Sequence, residues 1–257
     1  RSVFDLNAEF AKELARKRTA NAKDSPAALR AKIAKVIGMR PLDQQKPPTW
    51  KDKGRVERKD YHIDKLVMKT DAGIPLPALT FHPKDPADAA YLYLHDDGKL
   101  GDSQAGGPIE KLVGEGYAVV TVDLRGQGET STGKRNDLLG DWKTYYLSYL
   151  LGKPLLGPRV EDALAAAHFV AYYQKAKDDP REVHLVGVGQ AGVVALHAAA
   201  MRPDLFTSVT LRDAPRDWTS LIQQPVPAGQ LDGTAHGALE VYDLPDLTRL
   251  IGKDKVR

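Results

Sequence analysis

Between residues 89 and 213 four short apolar runs recur, "AAYLYLHD", "YAVVTVD", "EVHLVGVG" and "FTSVTLRD", each separated from the next by helix-like sequence. Runs that are apolar throughout belong to strands buried on both faces. Their alternation with helices predicts a doubly wound, mostly parallel α/β sheet covered on both sides. The connecting helices are "GGPIEKLVGEG" (106–116), "GPRVEDALAAAHFVAYYQKAK" (157–177) and "QAGVVALHAAAM" (190–201), the last stopped by Pro203. Ligands of such sheets bind beyond the carboxyl ends of the strands. The four runs end there on His95-Asp96-Asp97, Asp123, Gly187–Gly189 and Asp213.

The first 88 residues have a different rhythm. "SVFDLNAEFAKELARKR" puts Leu6, Phe10 and Leu14 on one helical stripe. "DSPAALRAKIAKVIG" predicts a second helix, with Ser25 as N-cap, Pro26 in the first turn and Gly38 just past the end. "MRPLDQQKPPTWKDKG" reads as a proline-rich connector. Residues 55–70 and 74–83 flank "DAG" and predict a β-hairpin whose second arm, with Pro75 and Pro77, is an edge or irregular strand. The resulting division is a helical extension and connector at 1–48, followed by an α/β domain at 49–257. No internal repeat is present.

Composition narrows the classes. The 42% hydrophobic content of the 257 residues supports a substantial core, and no apolar run is long enough to span a bilayer. Cysteine is absent, which excludes disulfides, thiol nucleophiles and thiolate metal sites. The net charge of +3 hides an asymmetry: residues 1–69 carry 18 Lys/Arg against 9 Asp/Glu, the remainder 19 against 25. A basic arm lying on an acidic body accounts for this. No aromatic interleaving or motif indicates a nucleic-acid partner. The chain begins at Arg1 without a signal-like stretch, which suggests a processed or excised piece.

"GVGQAG" (187–192) joins a strand to a helix by a tight glycine-rich turn. Such a turn, centred on 189 with small residues at 187 and 191, is where a hydrolase mounts its nucleophilic serine. Here the central residue is Gly189, which tolerates the strained backbone but offers no oxygen. The backbone N–H of Gln190 is the expected oxyanion donor. "YLYLHDDGK" supplies the second donor loop, with His95, Asp96, Asp97 and Gly98, and "VDLRGQGET" adds Asp123, Arg125 and Glu129 to the rim.

"LHDDGK", "GGPIEKLVGEGYAVVTVDLRGQGET", "VHLVGVGQAGVVALHAAAM" and "GALEVYDLPDL" resemble the acetyl-xylan-esterase-like branch of the α/β-hydrolase superfamily, in particular large bacterial proteins in which one hydrolase domain follows another. "SVFDLN" resembles the connector into such a second domain. The resemblance covers most of residues 50–250. It implies the fold, ester chemistry on acylated carbohydrate, an exported (periplasmic or secreted) setting, and a second hydrolase domain as partner. It also implies an acid after the seventh strand and a histidine after the eighth. "FTSVTLRD" counts as the sixth strand and "KDKVR" as the opening of the seventh, so the domain reads as incomplete at its C-terminus.

His236, in "DGTAHGALE", is the candidate substitute base. Ser103 is a displaced-nucleophile candidate without a strained turn to present it. Asp213 and Asp217 are expected to pair with Arg212 and Arg216. Tyr145–Tyr149 read either as an aromatic wall for sugars or as a half-buried helix face. His62, His82, His168, His184 and His197 read as structural, and no metal or other cofactor is expected. Two functions stay open: a carboxyl-ester hydrolase crippled by Gly189, and a non-catalytic module that binds a saccharide or packs on a neighbouring domain.

Overall fold

A computed structural model describes all residues except 21–23, 132, 134, 135, 137, 138, 176, 177 and 225–228. The strands are β1 (Thr49–Glu57), β2 (Tyr61–Lys69), β3 (Pro75–Pro83), β4 (Ala89–His95), β5 (Ala118–Val122), β6 (Glu182–Val188) and β7 (Ser208–Arg212). They form one sheet in the order β1-β2-β3-β5-β4-β6-β7. The pairs β1–β2, β2–β3 and β3–β5 are antiparallel, and β4–β5, β4–β6 and β6–β7 are parallel. Residues 255–257 then pair in parallel with β7, where Leu211 N–H donates to the Arg257 carbonyl at 2.9 Å. This isolated bridge lies within "KDKVR", where the sequence reading has a further strand opening.

The helices are α1 (Val3–Ala20), α2 (Pro26–Ile37), α3 (Pro108–Gly114), α4 (Trp142–Leu150), α5 (Leu156–Tyr172), α6 (Ala191–Met201), α7 (Trp218–Ile222), α8 (Ala238–Val241) and α9 (Leu244–Ile251). Alternation persists inside the apolar strands and sorts two cores. Ala90, Leu92 and Leu94 of β4 join the larger cluster with residues of α2, α5, α6 and α9. Tyr93 joins Phe81, Val119 and Val186 in a smaller cluster with Ile109 and Val113 of α3. Both faces are therefore covered, as a doubly wound sheet requires.

Three expectations need correction. The arm at 55–70 is two strands: the chain reverses at Arg58, whose N–H donates to the Tyr61 carbonyl at 2.9 Å. This adds the edge strand β1, which hydrophobic pattern could not reveal because nearly all of its side chains are exposed. Strand β3 is central rather than an edge, since Pro75 and Pro77 precede the ladder with β5, which starts at Ala78, and Pro83 lies beyond its last pair at Phe81. In α1 the inward stripe runs through Phe4, Ala8, Ala11 and Leu14, and Leu6 and Phe10 face outward. Ala11 lets the helix lie close against its neighbours. Helix α2 is capped as predicted, with Ser25 Oγ accepting from Ala28 N–H and Gly38 at φ 68°. Of the predicted helix at 157–177, residues 176 and 177 lie outside those described, and α5 ends at Tyr172.

The basic N-terminal arm is tied down by arginines that cap carbonyls. Arg30 Nε donates to Ala200 O at 2.7 Å and its Nη2 to Leu250 O at 3.1 Å, both in last helical turns, where cations are favoured. Arg18 reaches Leu239 O and lies 3.7 Å from Asp243.

His197 of α6 is fully buried. Its Nδ1 lies 2.7 Å from the Val193 carbonyl, which can only accept, so that nitrogen carries the proton. Burial keeps the ring neutral near pH 7, so Nε2, at 2.8 Å from the Tyr242 hydroxyl, accepts from it. Burial lowers its pKa to about 4. A folded value below the unfolded one (~6.5) means the unfolded chain takes up the proton first as pH falls, so stability present above pH ~6.5 is lost towards pH 4. From pH 7 to pH 5 this one group removes about 2 kcal/mol of unfolding free energy. His82, also lowered to about 4 by burial, acts in the same direction. Urea denaturation at both pH values isolates His197: the pH 7-to-5 loss in His197→Gln should be smaller than in wild type by about that amount.

Candidate active site

Gly189 sits between the end of β6 and the start of α6 with φ 63°, a left-handed conformation that glycine adopts without steric cost. Its N–H donates to Arg212 O at 2.9 Å, which anchors the bend to β7. Strand and helix approach closely here. A Cβ on Gly187 would lie 2.6 Å from Gly192 Cα, and one on Gly192 would lie 2.5 Å from Ala214 Cβ. Sequence reading assigned the flanking small residue to Ala191; the contact itself is made by Gly192.

The elbow is filled. Asp96, one residue past β4, accepts from Gln190 N–H at 2.8 Å and from Ala191 N–H at 2.6 Å. These are the opening N–H groups of α6, which have no partner within the helix and carry the positive end of its dipole. A Cβ on residue 189 would lie 2.8 Å from Asp96 Cγ and overlap its carboxylate oxygen. The expectation of a vacant position beside a free Gln190 N–H is therefore corrected: the Asp96 carboxylate lies where a serine side chain would go and uses the donors an oxyanion would use. Charge-assisted bonds of this kind contribute about 1.5–3 kcal/mol each. The side chain of Gln190 turns under Gly233, and its Oε1 is buried without a hydrogen-bond partner.

Asp123 is fully buried beneath the loop after β4. It accepts from Lys99 N–H at 2.7 Å, Lys99 Nζ at 2.6 Å and Glu129 N–H at 3.0 Å. Lys99 also bonds Glu129, so one buried lysine joins the two rim loops. Gly98, at φ 72°, packs on Asp123, with a hypothetical Cβ 3.3 Å from its Cγ. Arg125 is turned onto α5. Its Nε and Nη2 take both oxygens of Asp162, at 2.8 and 2.5 Å, and its N–H adds a third bond at 3.1 Å. Burial pushes the Asp162 carboxyl up from its ordinary range, and Arg125 opposes that shift.

His95 is held by the Asp97 N–H, which donates to Nδ1 at 3.0 Å, and Asp97 itself is exposed. Arg212 pairs with Asp102 and the Tyr93 hydroxyl, not with Asp213. Partial burial pushes the Asp102 carboxyl up, but its bonds from Tyr93 and Arg212 outweigh this and hold it below the usual carboxylate range. Asp213 is exposed at φ 52°. Asp217 instead caps α7, accepting from Ser220 N–H at 2.6 Å. Ser103 Oγ donates to Leu100 O at 2.7 Å. His236 is exposed, with its ring 5.6 Å from that of Tyr149.

Gly189, Gln190 and Asp96 thus meet, Gly98 and Asp123 brace the adjoining loop, and Arg125 leaves the rim. Sequence reading missed Lys99, Asp102, Tyr93 and Asp162. Only Asp162 carried a signal, as one of three charged residues, with Arg159 and Glu161, in a helix that is otherwise largely apolar. Helix α4 presents a partly buried side through Thr144, Tyr145 and Ser148, as expected, but none of its residues is fully buried, and Trp142, Tyr146, Leu147, Tyr149 and Leu150 are exposed, Leu150 at 80%.

The comparisons fit this geometry. The family model for the alpha/beta hydrolase fold matches residues 100–239. A provisionally assigned acetyl xylan esterase from Bacteroides fragilis NCTC 9343 superposes with a TM-score of 0.69 at 15% identity, covering 91% of this chain and 68% of that one. Acetyl Xylan Esterase 1 from Thermoanaerobacterium sp. JW/SL YS485 superposes with a TM-score of 0.50 at 22% identity, covering 66% of this chain and 54% of its own. This chain therefore spans little more than half the length of the second relative. No curated protein matches it in sequence. Among the described residues no helix is long and apolar enough to cross a membrane. A mixed sheet whose β4, β5, β6 and β7 run parallel, an elbow after β6, helices on both faces and a matching family model over more than half its length place this chain in the α/β-hydrolase fold family.

Proposed function

We propose that this chain is an acetyl-xylan-esterase-like α/β-hydrolase domain that does not carry out serine-type acyl transfer and serves as a non-catalytic module. The observation that supports this reading is the Asp96 carboxylate on the N–H groups of Gln190 and Ala191. Acyl transfer needs a nucleophile and free donors aimed at the developing oxyanion. Here position 189 has no side chain, and the donors already hold a full negative charge. A second anion at that point would be repelled. His236 packs on Tyr149 at the surface, so this reading gives it no role as a base.

The module's contact surface, in this reading, is α4. An exposed row of Trp142, Tyr146 and Tyr149 suits stacking on an acylated saccharide. Leu147, Leu150 and Leu151 in the same exposed stretch favour a protein neighbour, such as a second hydrolase domain of the same polypeptide.

Hydrolysis of p-nitrophenyl acetate by purified protein should not exceed that of a heat-inactivated control. Saturable turnover that is lost in Asp96→Ala or His236→Ala would overturn the proposal. A stability cycle checks the filled elbow independently. Gly189→Ala alone combines left-handed strain with overlap on Asp96 and should cost about 2–4 kcal/mol in chemical denaturation. Asp96→Ala orphans two N–H groups and should cost about 2–4 kcal/mol. The double variant should fall short of the sum by at least about 1 kcal/mol, because the overlap vanishes with the carboxylate. Strict additivity would mean that Asp96 does not occupy the elbow.

A further inference from the structure

We infer that His62, Asp64 and His82 form a binding site for a divalent ion of the zinc class, held by His62 Nε2, His82 Nε2 and one oxygen of Asp64. The site lies on β2 and β3 at the end of the sheet opposite the elbow: Phe81 pairs with Val119 at the start of β5, whereas the elbow follows the carboxyl end of β6. It goes beyond the proposed function and does not depend on it.

The backbone register assembles the ligands. His62 and Asp64 are two apart on β2 and so share a face, and His62 stands directly across from His82 on β3. The two imidazoles stack with centroids 4.9 Å apart. Each Nε2 lies 3.7 Å from the same Asp64 oxygen, Oδ2. Among the described residues, their donor atoms form a group all within 4.8 Å of one another. Two ligands bound to one tetrahedral zinc at about 2.0–2.1 Å lie about 3.3 Å apart, so the two His–Asp separations need to shorten by only a few tenths of an ångström, the remaining one by up to about 1.5 Å, and His82 Nε2 must exchange its 3.0 Å contact with Thr80 Oγ1 for the ion. Two imidazoles and one carboxylate match zinc rather than calcium or magnesium, which take oxygen ligands.

The surroundings hold the ligands in place. Arg55 Nε donates to Asp64 Oδ1 at 2.6 Å and its Nη2 to Oδ2 at 3.1 Å, fixing the carboxylate while leaving Oδ2 a second lone pair. Tyr173 packs on His82 at 6.1 Å between centroids and gives the site an aromatic wall. Asp64 is nearly buried and both histidines are partly exposed, which leaves a fourth position open to water. Glu57, paired with His62 across the β1–β2 ladder, is an exposed carboxylate at the same rim. Sequence spacing gave no warning of this group, because one ligand comes from across the hairpin.

Tag-free protein, stripped with chelator, should bind one equivalent of Zn²⁺ by titration calorimetry, and zinc should raise its thermal midpoint. His62→Ala and His82→Ala should each weaken binding at least about 100-fold, while His168→Ala leaves it unchanged. X-ray absorption at the zinc edge of the loaded wild type should show two imidazole nitrogens and at least one oxygen, a readout that does not depend on the variants folding. The inference fails if the wild type shows no saturable uptake at micromolar zinc, if both alanine variants bind like wild type, or if the absorption spectrum lacks a two-imidazole shell.

Discussion

The carboxylate of Asp96 gives α6 the anion that its N-terminus would otherwise take from solvent or from a bound ligand. Helix α6 is buried along its whole length, so its first N–H groups cannot all turn to water. Asp96 comes from the loop after β4, the strand paired with β6. Its two bonds therefore join the donor loop, the elbow and the helix in one rigid unit. In an active hydrolase the same donors must stay free for a charge that exists only in the transition state. Here a carboxylate of the chain itself accepts from both of them.

Glycine at 189 and aspartate at 96 are two sides of one steric fact. Because residue 189 lacks a Cβ, the carboxylate can reach both N–H groups; because the carboxylate is there, a Cβ has no room. The neighbouring loops repeat this economy with other charges. Asp123 takes three bonds from Lys99 and Glu129, and Asp162 takes three from Arg125. Each is a buried acid fully satisfied by named donors, and removing one partner of such a pair costs about 3–5 kcal/mol. Residues that look like a catalytic rim in one dimension are thus largely spent in holding the rim together.

The polar cluster of Arg55, His62, Asp64 and His82 is of a different kind. It continues the face of β2 and β3 that elsewhere carries Leu66, Met68, Leu76 and Ala78 into the core. Placing His62, Asp64 and His82 at the end of an apolar face has a desolvation cost, which the Arg55–Asp64 pair, the contact of His82 Nε2 with Thr80 Oγ1 at 3.0 Å and the stacked imidazoles offset. An ion bridging both rings and the carboxylate would use that arrangement more completely.

By itself the sequence determined the sheet's buried strands, the helix caps and the bend at 189, because each depends on contacts within a few residues. Ser25, Gly38 and the "GVGQAG" turn are legible for that reason. Uniformly apolar strands announced coverage on both faces. Tertiary structure alone decided where the charges went. Asp96 meets Gln190 across 94 positions, Arg125 meets Asp162 across 37, and His62 meets His82 across a hairpin whose register pattern could not fix. It also decided that β1, exposed on almost every position, is a strand at all, since backbone pairing to β2 leaves no periodic trace in side chains that stay largely at the surface. Hydrophobic order is written locally, but the pairing of a buried charge depends on which loops the fold brings together.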